Sequence, residues 1–188
     1  MSTKKIISNS AKETKNIAAK LALKILQKKP AKTAVILSLQ GDLGAGKTTF
    51  LQGFAEGLGI KEKVLSPTFI VMKKLQITNY KLQIPTNQGS SILIGTNSKS
   101  KIKKTSITQV SRPLSLCYKY FFHFDCYRLN NAEEVLDLGF KEIVSNPENI
   151  VAIEWPERIK KILPKKVISI KFNHQIGENE REICIENF

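Results

Sequence analysis

With 188 residues, 41% of them hydrophobic, the chain can bury one good core and is short for two, so a single domain spanning 1–188 is expected. No run approaches the roughly 18 apolar residues of a membrane helix, and the opening MSTKKIISNS lacks the apolar stretch of a secretory signal, so a soluble cytoplasmic protein without a membrane partner is expected. The formal charge of +14 suggests nucleic acid, yet Lys73 to Lys119 alone supplies nine of those charges and only four of the 30 basic residues are Arg, which makes solvated lysine surface the default explanation.

In chain order, Ser10 and Glu13 form a capping box, and Ile17, Leu21 and Ile25 recur at helical spacing up to Pro30, predicting a first helix. Ala34 to Leu39 reads as a buried strand, and Lys47 to about Leu58 as a helix stopped by Gly57 and Gly59. Phe69 to Leu75 and the aromatic run Tyr118 to Phe124 read as strands. Asn131 caps a helix through Glu133, Val135 and Leu138. Asn149 to Ile153 is another apolar strand, Pro156 to Ile162 a short helix, and Val167 to Phe172 with Glu182 to Ile185 a closing antiparallel hairpin. This alternation predicts an α/β fold with a central, mostly parallel sheet flanked by helices on both faces.

One stretch breaks the alternation. At about 74–116 the sequence repeats KLQI and then turns to Ser, Thr, Asn, Gln and Lys, which predicts an inserted, largely disordered segment. An ordered subdomain and an RNA-binding arm are the alternatives. Cys117, Cys126 and Cys184 lack both CxxC spacing and a His cluster, so small buried hydrophobes are expected rather than a zinc site or disulfides.

Chemistry concentrates first in Gly41-Asp42-Leu43-Gly44-Ala45-Gly46-Lys47-Thr48, a full GxxxxGK[ST] sequence placed between a strand and a helix. Glycines let successive backbone N–H groups converge on phosphate, and the helix N-terminus adds partial positive charge. Lys47 supplies a full charge to the β/γ oxygens and Thr48 a hydroxyl for Mg²⁺. Such a fold needs a carboxylate at the tip of a buried strand, and both Asp125 and Glu154 qualify. Ser66-Pro67-Thr68 reads either as a switch loop sensing the γ-phosphate or as a plain proline turn.

The set GDLGAGKTTF, SPTF, HFDCYRL and IEWPE, in this order, resembles the TsaE (YjeE) family, the P-loop ATPase of bacterial tRNA threonylcarbamoyladenosine biosynthesis. The resemblance implies that Gly44, Ala45, Gly46, Lys47, Thr48 and Thr49 bind ATP and that Thr48 and Glu154 contact Mg²⁺. It implies further that Asp125 is an acid needed for hydrolysis, that Thr68 belongs to a switch, that Trp155 sits near the nucleotide, and that Ser10 borders the adenine. In relatives a short link joins SPTF to HFDxYR, whereas here Thr68 and His123 stand 55 positions apart.

The activity so implied is ATP hydrolysis, slow alone, that resets a transferase built from TsaB and TsaD subunits, with tRNA a partner only indirectly. Two other classes compete. A small-molecule or nucleoside kinase would bring an Arg-rich lid, which four scattered Arg do not supply. A non-catalytic RNA-binding protein would use the Lys-rich stretch.

Overall fold

The protein is described from a computed structural model, which covers residues 3–65, 71–77, 117–174 and 180–188. It opens on a strand that the sequence does not announce, β1 (Thr3–Ser8), mostly exposed and therefore without the apolar alternation that marks a half-buried strand. The expected capping box forms in part, because the Glu13 carboxylate reaches one residue past the N-cap, to Asn9. Ser10 Oγ accepts the Glu13 N–H at 3.1 Å, and Glu13 Oε2 accepts the Asn9 N–H at 2.8 Å, which starts α1 (Ala11–Gln27).

There follow β2 (Val35–Gln40), α2 (Lys47–Gly57), β3 (Met72–Gln76) and β4 (Tyr120–Asp125). The helix expected after Asn131 forms as the short α3 (Glu133–Leu136), and a second helix that the sequence does not announce, α4 (Phe140–Ser145), follows Gly139, whose φ of 76° is a left-handed conformation that redirects the chain. The chain closes with β5 (Asn149–Glu154), a 3-10 turn at Pro156–Ile159, β6 (Ile168–His174) and β7 (Arg181–Glu186).

The strands form one sheet in the order β1-β7-β6-β2-β5-β4-β3. Its centre, β6-β2-β5-β4, is parallel, while β3 at one edge and β7 with β1 at the other pair antiparallel. The expected C-terminal hairpin is β6-β7. Alternate residues of the central strands face opposite layers. Leu37, Leu39, Phe121 and Ala152 pack with α1 and α2, while Ile36, Phe122, Val151 and Ile153 pack with Val135, Phe140 and Ile159. Helices α1 and α2 approach closely at Gly53, where a Cβ would stand 2.3 Å from the Lys15 backbone.

Lys74 and Leu75, where the expected strand and the expected insertion overlap, belong to β3; Gln76, expected in the insertion, also lies in β3, and the Ile77 N–H continues the ladder to Lys119 O at 2.9 Å. The remainder of the expected insertion lies outside the described residues. Because Ile77 and Lys119 already pair as neighbours, replacing 78–116 with a short Gly-Asn turn should leave the sheet intact. Loop-closure entropy grows slowly with length, so we expect melting to change by no more than about 1–2 kcal/mol. Unfolding of that variant would show that the segment carries essential core structure. Loss of a salt-sensitive affinity for tRNA, with the fold kept, would assign it to RNA binding.

Candidate nucleotide site

The central strand β2 ends at Gln40, and the glycine-rich loop carries the chain from there into α2. Gly41, Gly44 and Gly46 take φ values of 143°, 78° and 98°, all in the region that glycine tolerates best. At Gly41 space is equally restrictive, since a Cβ would lie 2.7 Å from the carbonyl oxygen of Phe172. Gly46 is the N-cap of α2 and has no side chain to bond the first helical N–H groups. Those donors and the positive end of the helix therefore point out of the loop, the arrangement that binds phosphate. Ala45 is buried, and Thr48 and Thr49 are half-buried in the first turn of α2.

Lys47 is 5% exposed. Its Nζ donates to the carbonyl oxygens of Gly41 at 2.6 Å and Asp42 at 2.8 Å, and lies 4.0 Å from the centroid of the Trp155 ring. Burial lowers the pKa of this ammonium, opposed by the negative field of Glu154, Glu157, Asp125 and Asp42. Trp155 leaves β5 at φ 59°, its N–H donating to Leu39 O at 3.3 Å, while its ring stacks against Tyr127 with centroids 4.9 Å apart. The bend that ends β5 thus brings an aromatic face over the lysine.

Both acidic strand ends reach the same place. Asp125 of β4 and Glu154 of β5 are direct partners in a parallel ladder. Glu154 is 3% exposed, and Thr48 Oγ1 donates toward its two oxygens at 3.3 and 3.4 Å. Asp125 Oδ1 accepts the Tyr127 N–H at 3.1 Å. Two carboxylates and a hydroxyl make a hard oxygen donor set suited to a small divalent cation completed by phosphate oxygens. Among the described residues no group of three or more His, Cys, Asp or Glu could hold a metal without such help.

The other expected residues divide. Ser10 caps α1. Ser8, two residues earlier, pairs with Arg181, whose side chain lies against Gly46, so the start of α1 stands on the phosphate-loop side of the sheet. Ser66, Pro67 and Thr68 lie outside the described residues. Cys126 is fully buried, its thiol pushed up to about 12 chiefly by burial, whereas Cys117 and Cys184 are half-buried. No helix among the described residues is long and apolar enough to cross a membrane.

Two site residues escaped the sequence reading. Arg181, counted there among scattered basic residues, places its Nε where it would stand 2.7 Å from a Cβ on Gly46. His123, which the sequence offers only within the aromatic run and as the first residue of HFDCYRL, has Nε2 2.9 Å from Glu154 Oε1. A usable signal was present for the second: His123 shares strand parity with Asp125, so both face α2.

A glycine-rich loop between a buried parallel strand and a helix, with its lysine and hydroxyl beside two acidic strand tips, defines a P-loop nucleotide-binding protein. The family described as "Threonylcarbamoyl adenosine biosynthesis protein TsaE" matches residues 8–84 and 97–183, and the chain belongs to this family. The tRNA threonylcarbamoyladenosine biosynthesis protein TsaE of Bacillus subtilis is 34% identical over 153 residues, covering 81% of this chain and 70% of its own length. The protein of the same name from Rickettsia typhi is 29% identical over 184 residues, covering 96% and 94%. The crystal structure of YdiB from Bacillus subtilis superposes with a TM-score of 0.56 at 27% identity, covering 98% of this chain and 84% of that one.

Proposed function

We propose that the chain is a Mg²⁺-dependent ATPase, weak alone, that supports tRNA threonylcarbamoyladenosine modification by acting on a transferase of TsaB- and TsaD-type subunits. The observation that carries this reading is the convergence of Thr48, Glu154 and Asp125 beside Lys47 at the mouth of the phosphate loop. Mg²⁺ would neutralise phosphate charge there, held by Thr48 and Glu154.

The chain's own residues do the rest. Backbone N–H groups of Gly44 to Thr48 bind the phosphates, and Lys47 exchanges its loop carbonyls for β/γ oxygens. Asp125 orients the attacking water and accepts its proton as that oxygen bonds to the γ-phosphorus and the bond to the β-bridging oxygen breaks, releasing ADP and phosphate. Trp155 and Ser10 border the nucleotide, and Thr68 senses the γ-phosphate.

The test is phosphate release from Mg-ATP with the chain alone, then with TsaB and TsaD, then with nucleosides or free RNA. A rise of at least tenfold with the subunits alone is expected. Transfer of phosphate to an added nucleoside would instead mark a kinase, and the absence of hydrolysis under every condition would leave a non-catalytic binding protein.

A further inference from the structure

In β4 the run Tyr120-Phe121-Phe122-His123-Phe124 is Phe or Tyr at every position but one, and the exception, a histidine, is fully buried. His123 Nε2 lies 2.9 Å from Glu154 Oε1, while Nδ1 has no hydrogen-bond partner among the described residues. A protonated Nδ1 would leave a buried N–H unsatisfied, which costs more than an unused lone pair, so the hydrogen-bond network assigns the proton to Nε2. The ring therefore donates to Glu154.

Packing alone does not account for this histidine. A phenylalanine, as at the neighbouring positions, would bury a ring without orphaning a ring nitrogen. What a phenylalanine lacks is the donor. Glu154 Oε1 accepts from the His123 ring, and Thr48 Oγ1 lies 3.3 and 3.4 Å from the two carboxylate oxygens. Two donors on separate elements fix the carboxylate plane.

We infer that His123 is a positioning residue: its Nε2–H orients Glu154 as a ligand for the divalent cation that accompanies ATP. The inference rests on the Mg-ATP reading above. Partners that hold a metal ligand from behind raise its affinity, and their loss typically weakens metal binding about 10- to 100-fold.

The experiment is calorimetric titration of ATP into the full chain over a series of Mg²⁺ concentrations. His123→Phe is expected to raise the Mg²⁺ midpoint about tenfold, while ATP affinity without Mg²⁺ stays close to the parent's. His123→Gln returns an amide N–H near the Nε2 position and should recover the midpoint to within about threefold of the parent. A parental midpoint in His123→Phe, or equal shifts in the Phe and Gln variants, overturns the inference. Should His123→Phe not fold, His123→Asn, whose amide reaches only the Nδ1 position, must shift the midpoint more than His123→Gln, and equal midpoints overturn it. A parent whose ATP binding ignores Mg²⁺ would remove the Mg-ATP reading itself, and this inference with it.

Discussion

Lys47→Ala should reduce ATP affinity at least a hundredfold and leave no measurable hydrolysis. The ammonium is the only full positive charge contributed by the loop, and each charge-assisted bond to a phosphate is worth roughly 1.5–3 kcal/mol. Two such bonds lost together exceed what the remaining backbone N–H groups can replace. The fold should persist, because among the described residues the hydrogen bonds of Lys47 go to carbonyl oxygens of its own loop, its ring contact is with Trp155 at the same site, and the sheet ladder uses neither. Calorimetry beside a melting curve checks both halves. Tight Mg-ATP binding by a folded Lys47→Ala variant would sink the site assignment.

The second large effect separates binding from chemistry. Glu154→Gln and Asp125→Asn are each expected to lower hydrolysis about a hundredfold, the scale on which single electrostatic groups act in a transition state. ATP binding should survive both changes, since cradling depends on backbone N–H groups and Lys47. Glu154→Gln should blunt the Mg²⁺ dependence more than Asp125→Asn, because Thr48 Oγ1 reaches both oxygens of Glu154. Hydrolysis at the parental rate in both variants would exclude the two carboxylates from the reaction.

What the sequence revealed and what it hid differ in range. The phosphate loop was legible because its chemistry is local: three glycines, a lysine and a hydroxyl within eight consecutive residues, followed by a helical pattern. Asp125 and Glu154 were legible one at a time, as acids ending apolar strands. That they are register partners follows only from β4 and β5 being parallel neighbours, a pairing between segments far apart in sequence. His123 was hidden for the same reason, since its meaning depends on a carboxylate 31 positions away. β1 was hidden because exposed lysines mask its pairing with β7. The helix beyond Gly139 was hidden because the apolar spacing read from Val135 and Leu138 stops at the glycine, and α4 spans only six residues.

The topology also bears on how the chain is made. Leu37, at the centre of β2, pairs with Ala152 on one side and Ile168 on the other, so the strand carrying the phosphate loop has no sheet partner until the last third of the chain exists. On a ribosome the two early helices can meet, but β2 must wait with both edges open. Such non-local pairing folds slowly and exposes unpaired strand edges to aggregation. Nucleotide held by the loop adds its binding free energy only to the completed sheet. The nucleotide in the surrounding solution, ATP on the reading proposed above, would then act on the newborn chain as a thermodynamic latch, favouring the assembled molecule over every shorter or partly paired form.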